Sequence, residues 1–254
     1  MAEGHGESGE LRSVANALDL LNCFAVDEEL GVSEVARRLG IAKSTAHRLL
    51  QTLASRNFIE QSEETGKYRL GLHLFELGHL AVSRLRLRQA SVNLLEELRE
   101  ITGWTVHLAV PEGVDVIYLE RFATLQGLKV MSQFRRRWPM HTTASGKAIA
   151  AFNPPLAEAR IAAGLIPLTA YTITDPAAFR RELAAIRARG YSVARQEVML
   201  RLGAVAAPIL DPSGTAIAAV SITGSDADLA AEPDRHARLV MIAARRISKS
   251  LGQG

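Results

Sequence analysis

The chain has 254 residues, 48% hydrophobic and 5% aromatic, with a net charge of +3 and an isoelectric point near 9.2. That length suits two modest domains, the charge permits a nucleic-acid partner without demanding one, and no uncharged stretch is long enough for a membrane helix. The single cysteine, Cys23, excludes an internal disulfide and a cysteine metal cluster, and the acidic, polar start MAEGHGESGE is unlike a secretory signal, so a cytoplasmic protein is expected.

Val14, Leu18, Leu21 and Phe24 recur at helical spacing, and Cys23 reads as part of their core. Residues 32–51, VSEVARRLGIAKSTAHRLLQ, follow as two short helices around a tight turn. Ser33 is placed to cap the first helix, Val35, Ala36 and Leu39 form its buried stripe, and Gly40 supplies the turn. On the second helix, starting near Ala42, Ala46, Leu49, Leu50 and Leu53 share one side. Lys43, Ser44, His47, Arg48 and Gln51 share the other, which presents phosphate and base-edge donors. Residues 35–59 contain no acid but do contain Arg37, Arg38, Lys43, Arg48 and Arg56, a local basic patch on a nearly neutral chain. A solvated helix face would account for the charges alone. The coincidence of turn, polar face and missing acids favours DNA, with Lys43, Ser44, Thr45, His47 and Arg48 reading or clamping the major groove.

Residues 58–61 and 67–70 alternate in period two around a glycine-containing turn, which predicts a hairpin wing. Tyr68 and Leu70 are expected to face the helices, and Lys67 and Arg69 to point outward to DNA backbone; a surface hairpin with ordinary charges is the alternative. Residues 72–86 then read as a linking helix, and residues 90–102 as a helix stopped by Gly103, with Arg84, Arg86 and Arg88 on a solvated face between them. The expected organisation is a winged helix-turn-helix DNA-binding domain over residues 10–71, a linker helix over 72–88 and an effector-binding second domain over 89–254.

Beyond Gly103, strands are predicted at residues 105–110 and 114–121 as a hairpin, then at 128–132, 204–210 and 215–223. Helices are predicted at 144–152, 156–163, 176–189 and 233–250, the third opening with Asp175 as cap and Pro176 in the first turn. This order gives a mixed α/β domain of the α+β class with a mainly antiparallel sheet.

The segments ALDLLNCF (17–24), SEVARRLGIAKSTAHRLL (33–50), ETGKYRLGLHLFEL (64–77) and HTTASGKA (141–148), with residues 172–191 and 205–224, resemble the IclR-type transcriptional regulators in order over nearly the whole chain. The resemblance implies a winged helix-turn-helix joined to a GAF-like effector-binding domain, in a homodimer or homotetramer that binds a roughly palindromic double-stranded operator and senses a small organic acid. It places the effector against Val130, Trp138 and Leu202 as apolar wall, the backbone amides of Ala144 and Ser145, and the hydroxyls of Ser221 and Thr223. Amides at a helix start and hydroxyls alternating along one strand face suit a carboxylate; a plain helix cap and satisfied strand hydroxyls are the alternative. Where members that bind small keto acids carry an acid and a cysteine or serine, this chain has Ala194 and Ala204. With Met199 and Leu200 nearby, the expected pocket is larger and more apolar, suited to an aromatic or otherwise hydrophobic acid. A one-residue shift would bring Arg195 or Gln196 to the site instead.

No enzyme signature competes. Ser145 to Lys147 lacks the glycine and the hydroxyl residue of a phosphate-binding loop, no nucleophile elbow or zinc-protease pair occurs, and the seven histidines, His107 and His141 among them, are scattered. No cofactor, metal or catalytic residue is expected. A second function class, a small-molecule-binding or catalytic protein using its winged helix for protein contact, is separated from the first by an operator footprint.

Overall fold

Gly40 sets the geometry of the N-terminal unit: its φ of 63° ends helix α2 (Val32–Leu39), its N–H bonds to Ala36 O, and the chain turns into α3 (Lys43–Ser55). The computed structural model describes residues 11–83, 85–124 and 137–252, divided into two compact units, Met1–Val82 and Ser83–Gly254. In the first, α1 (Arg12–Cys23), α2 and α3 close on a core of Leu20, Leu30, Val35, Ala46, Leu50, Ile59 and Tyr68. Strands β1 (Ile59–Gln61) and β2 (Tyr68–Leu70) pair antiparallel as the wing, and Leu30 adds a backbone bridge to Tyr68. Helix α4 (Leu72–Ser83) follows.

Three details depart from the sequence expectation. Gly31, not Ser33, occupies the N-cap of α2, and Ser33 lies exposed inside the first turn. Leu70 is 46% exposed, because the chain leaves the wing there: Gly71 packs against the Asn57 carbonyl, where a Cβ would sit 2.3 Å away, and leads directly into α4. Cys23 is half-buried at the rim of the core, its thiol donating to Asp19 O.

The C-terminal unit begins with α5 (Arg86–Thr102), ended by Gly103 in the left-handed region. Arg86 and Arg88 open this helix, and Arg88 pairs with Glu120 on the neighbouring strand rather than lying on a solvated face; Arg84 lies outside the described residues. Strands β3 (Thr105–Glu112) and β4 (Asp115–Phe122) form the expected hairpin, followed by β5 (Arg137–Pro139). The strand expected at 128–132 lies outside the described residues.

Helices α6 (Ala144–Ala151), α7 (Pro154–Ala162) and α8 (Pro176–Arg189) come next, and Asp175 caps α8 by accepting from Ala178 N at 2.7 Å. Strand β6 (Ser192–Arg195) was not anticipated. It precedes β7 (Leu202–Leu210) and β8 (Ala216–Ser225), a short helix α9 (Asp226–Ala231), also not anticipated, and the closing α10 (Pro233–Leu251).

The six strands form one sheet in the order β5-β4-β3-β8-β7-β6, each described pair antiparallel. Period-two alternation splits its residues between two cores. Val106, Leu108, Val205, Val220 and Ile222 pack with α5 and α10 residues such as Leu95, Leu98, Val240 and Ile247. Ala194, Ala206 and Ala219 pack on the opposite face with Ala148, Ile149, Phe179, Leu183 and Ile186 of α6 and α8. Among the described residues no helix is long and apolar enough to cross a membrane.

Candidate functional site

Helix α3 separates its faces as its pattern predicts: Ala46 and Leu50 are fully buried, while Lys43, Ser44, Thr45, His47, Arg48 and Gln51 are exposed. Thr45 and Arg48 border a shallow apolar groove against α1, with Val14, Leu18 and Phe58, so they occupy one flank of the exposed surface. The cations differ in how they are held. Arg38 donates to Asp27 at 2.5 Å and Glu34 at 3.0 Å, and Arg69 to Glu60 at 2.5 Å, whereas the side chains of Arg37, Lys43, Arg48 and Lys67 have no ion-pair partner among the described residues. The charge available to a polyanion is therefore smaller than the count of basic residues implies, and is centred on α3, Arg37 and the wing strand start.

In the C-terminal unit, strand register assembles the second site. Ser192, Ala206, Ser221 and His107 follow one another across β6, β7, β8 and β3 on the face under α6, and Ala194, Ala204, Thr223 and Thr105 form the next row. Alanines beside hydroxyls leave a hollow in that face. Above it lies α6, whose eight residues are all buried. Its small side chains allow close approach: a Cβ on Gly146 would lie 2.1 Å from Met140 O. Thr143 caps the helix by accepting from Gly146 N at 2.9 Å, and the Thr143 carbonyl takes the Lys147 amide, so the amides of Ala144 and Ser145 sit at its open end.

Between helix and sheet lies a cavity of about 20 Å³, close to the space one water needs, lined by Tyr118, Thr143, Ala144, Ala194, Glu197, Val198, Leu202, Gly203, Ala204 and Thr223. It shares Leu202 and Thr223 with a wider groove of about 570 Å³ whose walls include Trp104, Met199 and Leu200. Trp138, Val198 and Leu202 pack against Ala109 and Tyr118, and Ser145 donates to Ser221 at 2.9 Å. Trp138, Ala144, Ser145, Ala194, Leu202, Ala204, Ser221 and Thr223 thus come together here, and Val130 lies outside the described residues.

Burial governs the chemistry of this region. His107, fully buried, has its pKa pushed down to about 3 by desolvation and by the Arg121 charge, so its imidazole is neutral at physiological pH. Its Nδ1 lies 3.4 Å from the Thr223 hydroxyl, and its ring is tilted against Tyr118 with centroids 4.6 Å apart. Burial raises the Tyr118 phenol to about 12 against the opposing hydrogen bonds with Ser145 and Thr143, so Tyr118 stays protonated.

Ala194 and Ala204 both line the cavity, and the loop after β6 adds an acid to it. Arg195 and Gln196 turn to Asp226, Arg195 at 3.0 Å, but Glu197 lines the cavity at 6% exposure. Its Oε1 accepts from Lys147 Nζ at 2.6 Å, and Lys147 also donates to Val193 O at 2.8 Å. The lysine of the Ser-Gly-Lys sequence is thus a buried structural cation. His141, expected in a loop, lies in a short 3-10 turn with Nε2 at 2.9 Å from Ile166 O. Tyr118, Thr143, His107 and Glu197 were not among the expected site residues. For Tyr118 and His107 the signal is the alternation of their strands; for Glu197, in a loop after an unanticipated strand, the sequence carries none.

Residues 13–63 match the IclR helix-turn-helix domain, and residues 79–249 match the C-terminal domain of the bacterial transcriptional regulator IclR. The chain belongs to the IclR family. The IclR relatives include the transcriptional regulator BhcR of Paracoccus denitrificans, 36% identical over 252 residues, covering 96% of this chain and 89% of BhcR. XynR of Escherichia coli is 35% identical over 220 residues, covering 84% and 86%. Among solved IclR structures, that of Thermotoga maritima superposes with a TM-score of 0.75 at 29% identity, covering 96% of this chain and all of that one. An IclR homolog from Microbacterium hydrocarbonoxydans, in complex with 4-hydroxybenzoate, reaches 0.81 at 29% identity, covering 94% and 98%. These IclR relatives are named as regulators of transcription, and the protein is a DNA-binding regulator with an effector-binding C-terminal domain.

Proposed function

We propose that this regulator binds a palindromic operator as a homo-oligomer and responds to a small organic acid of aromatic or otherwise hydrophobic character. The observation that carries the reading is the exposed donor face of α3, with Lys43, Ser44, His47, Arg48 and Gln51 free of ion pairs among the described residues, in a chain whose other unit holds a hydroxyl-lined hollow at a helix start. Lys43 and Lys67 contact phosphate, and Arg37 extends the same surface; Arg38 and Arg69 serve mainly their acidic neighbours. Trp138, Leu202 and Val198 supply the apolar wall, and the α6 amides with Ser221 and Thr223 the polar end. The 4-hydroxybenzoate held by the Microbacterium hydrocarbonoxydans homolog supports an aromatic acid here.

The test is a salt-controlled footprint of the full chain on the DNA upstream of its own gene, with and without aromatic and aliphatic acids. A protected palindrome that changes with one acid class is expected, and affinity falls steeply with salt. Uniform, sequence-independent retention insensitive to every acid would overturn the reading.

A further inference from the structure

Glu197 is the one feature of the cavity that neither the helix start nor the hydroxyl row explains. Its side chain is 8% exposed, yet only Oε1 is taken, by Lys147; Oε2 has no hydrogen-bond partner among the described residues, and burial raises the carboxyl's pKa against the opposing Lys147 charge and hydrogen bond and the Arg195 backbone N–H. A buried carboxylate oxygen without a donor is costly, and native proteins rarely leave one. The side chain is also fixed in place. Thr172 donates to Glu197 O at 2.7 Å, Thr169 donates to Gln196 O at 2.7 Å, and Gln196 and Arg201 hold the loop ends in left-handed conformations at φ 58° and 64°. Glu197 lines the same cavity as Tyr118, Thr143 and Thr223.

We propose that Glu197 is a specificity residue of the effector site: its free Oε2 accepts a hydrogen bond from a hydroxyl or amine on the bound acid, and the site therefore selects acids that carry a donor. The inference rests on the reading of this cavity as the effector site. The Lys147 charge balances that of Glu197, so the pair adds no net charge, while like-charge repulsion keeps the effector's own carboxylate away from Glu197 and fixes the orientation of the ligand. An acid without the donor leaves Oε2 buried and unpaired, which is how a polar pocket rejects an otherwise matching ligand.

The experiment is calorimetric titration of the full chain with two matched pairs, 4-hydroxybenzoate against benzoate and lactate against propionate. In at least one pair the donor-bearing acid binds about tenfold to a hundredfold tighter. Glu197→Gln, which replaces the free acceptor oxygen by a donor, removes that preference. If Glu197→Gln does not fold, as its thermal melt will show, the pairs measured on the natural chain decide alone. Equal affinity within every pair that binds overturns the role of Glu197 and leaves the cavity as the effector site. No binding of any of the four to the folded chain overturns both.

Discussion

The two units use polar residues in opposite ways. On α3, Lys43, His47 and Arg48 lie in solvent with no protein partner among the described residues, whereas beneath α6 nearly every polar group is spoken for: Ser145 with Ser221, Thr143 with Gly146, Lys147 with Glu197. A surface that meets a polyelectrolyte gains by displacing counterions, and its side chains need reach rather than fixed geometry. A cavity that discriminates small molecules needs groups locked before the ligand arrives, and burial supplies the lock. The difference predicts that damage to the first unit shows in binding and its salt dependence, and damage to the second in folding and pH response.

The largest effect is expected from breaking the buried ion pair. Lys147→Ala leaves the Glu197 carboxylate uncompensated in the core and costs about 3–5 kcal/mol of stability, measured by urea unfolding. Replacing both partners by apolar residues restores much of the loss. A single-variant cost below about 1 kcal/mol would show the pair to be solvated.

Arg48→Ala comes next, with a loss of about 1–3 kcal/mol on the operator if Arg48 meets a base edge. Equal weakening on all sequences reassigns it to phosphate, and unchanged operator affinity removes it from the interface. Acid provides a third test. The unfolded chain protonates His107 near pH 6.5 and the folded chain only near 3, so the stabilisation is complete above 6.5 and declines as pH falls toward 3. The slope from this group is about 1.4 kcal/mol per pH unit; if His107→Gln unfolds with the same pH dependence, the assignment fails. The smallest contrast lies within the basic patch. Lys43→Ala lowers the salt slope of DNA binding by about one, while Arg38→Ala, already neutralised by Asp27 and Glu34, leaves it nearly unchanged. Equal changes in the two slopes would show that the acidic partners do not hold Arg38 when DNA is bound.

Local signals made the first unit readable. Gly40 needs its left-handed turn, Ala46 and Leu50 repeat at helical spacing, and the wing pairs strands only six residues apart. The same held for Asp175 and Pro176 at the start of α8. What escaped was either too short or too distant. Strand β6 is four residues long, with too few alternations to register, and α9 completes fewer than two turns. Glu197 reaches the cavity only because β6 fixes where its loop begins, and its partner Lys147 stands 50 residues earlier. Leu70 was misplaced because alternation assumes that a strand continues, and this one ends at Gly71.

Both tryptophans of the chain lie in the C-terminal unit. Trp138 packs against Tyr118, which lines the cavity; Trp104 stands edge-on to His236 and fills the space over Gly224, where a Cβ would lie 1.7 Å from its ring. Intrinsic indole emission of the natural chain therefore originates in the effector-binding half alone. Trp138→Phe and Trp104→Phe then divide the signal between a cavity emitter and a sheet-end emitter, so that occupation of the cavity can be followed without a label and with no contribution from the DNA-binding unit.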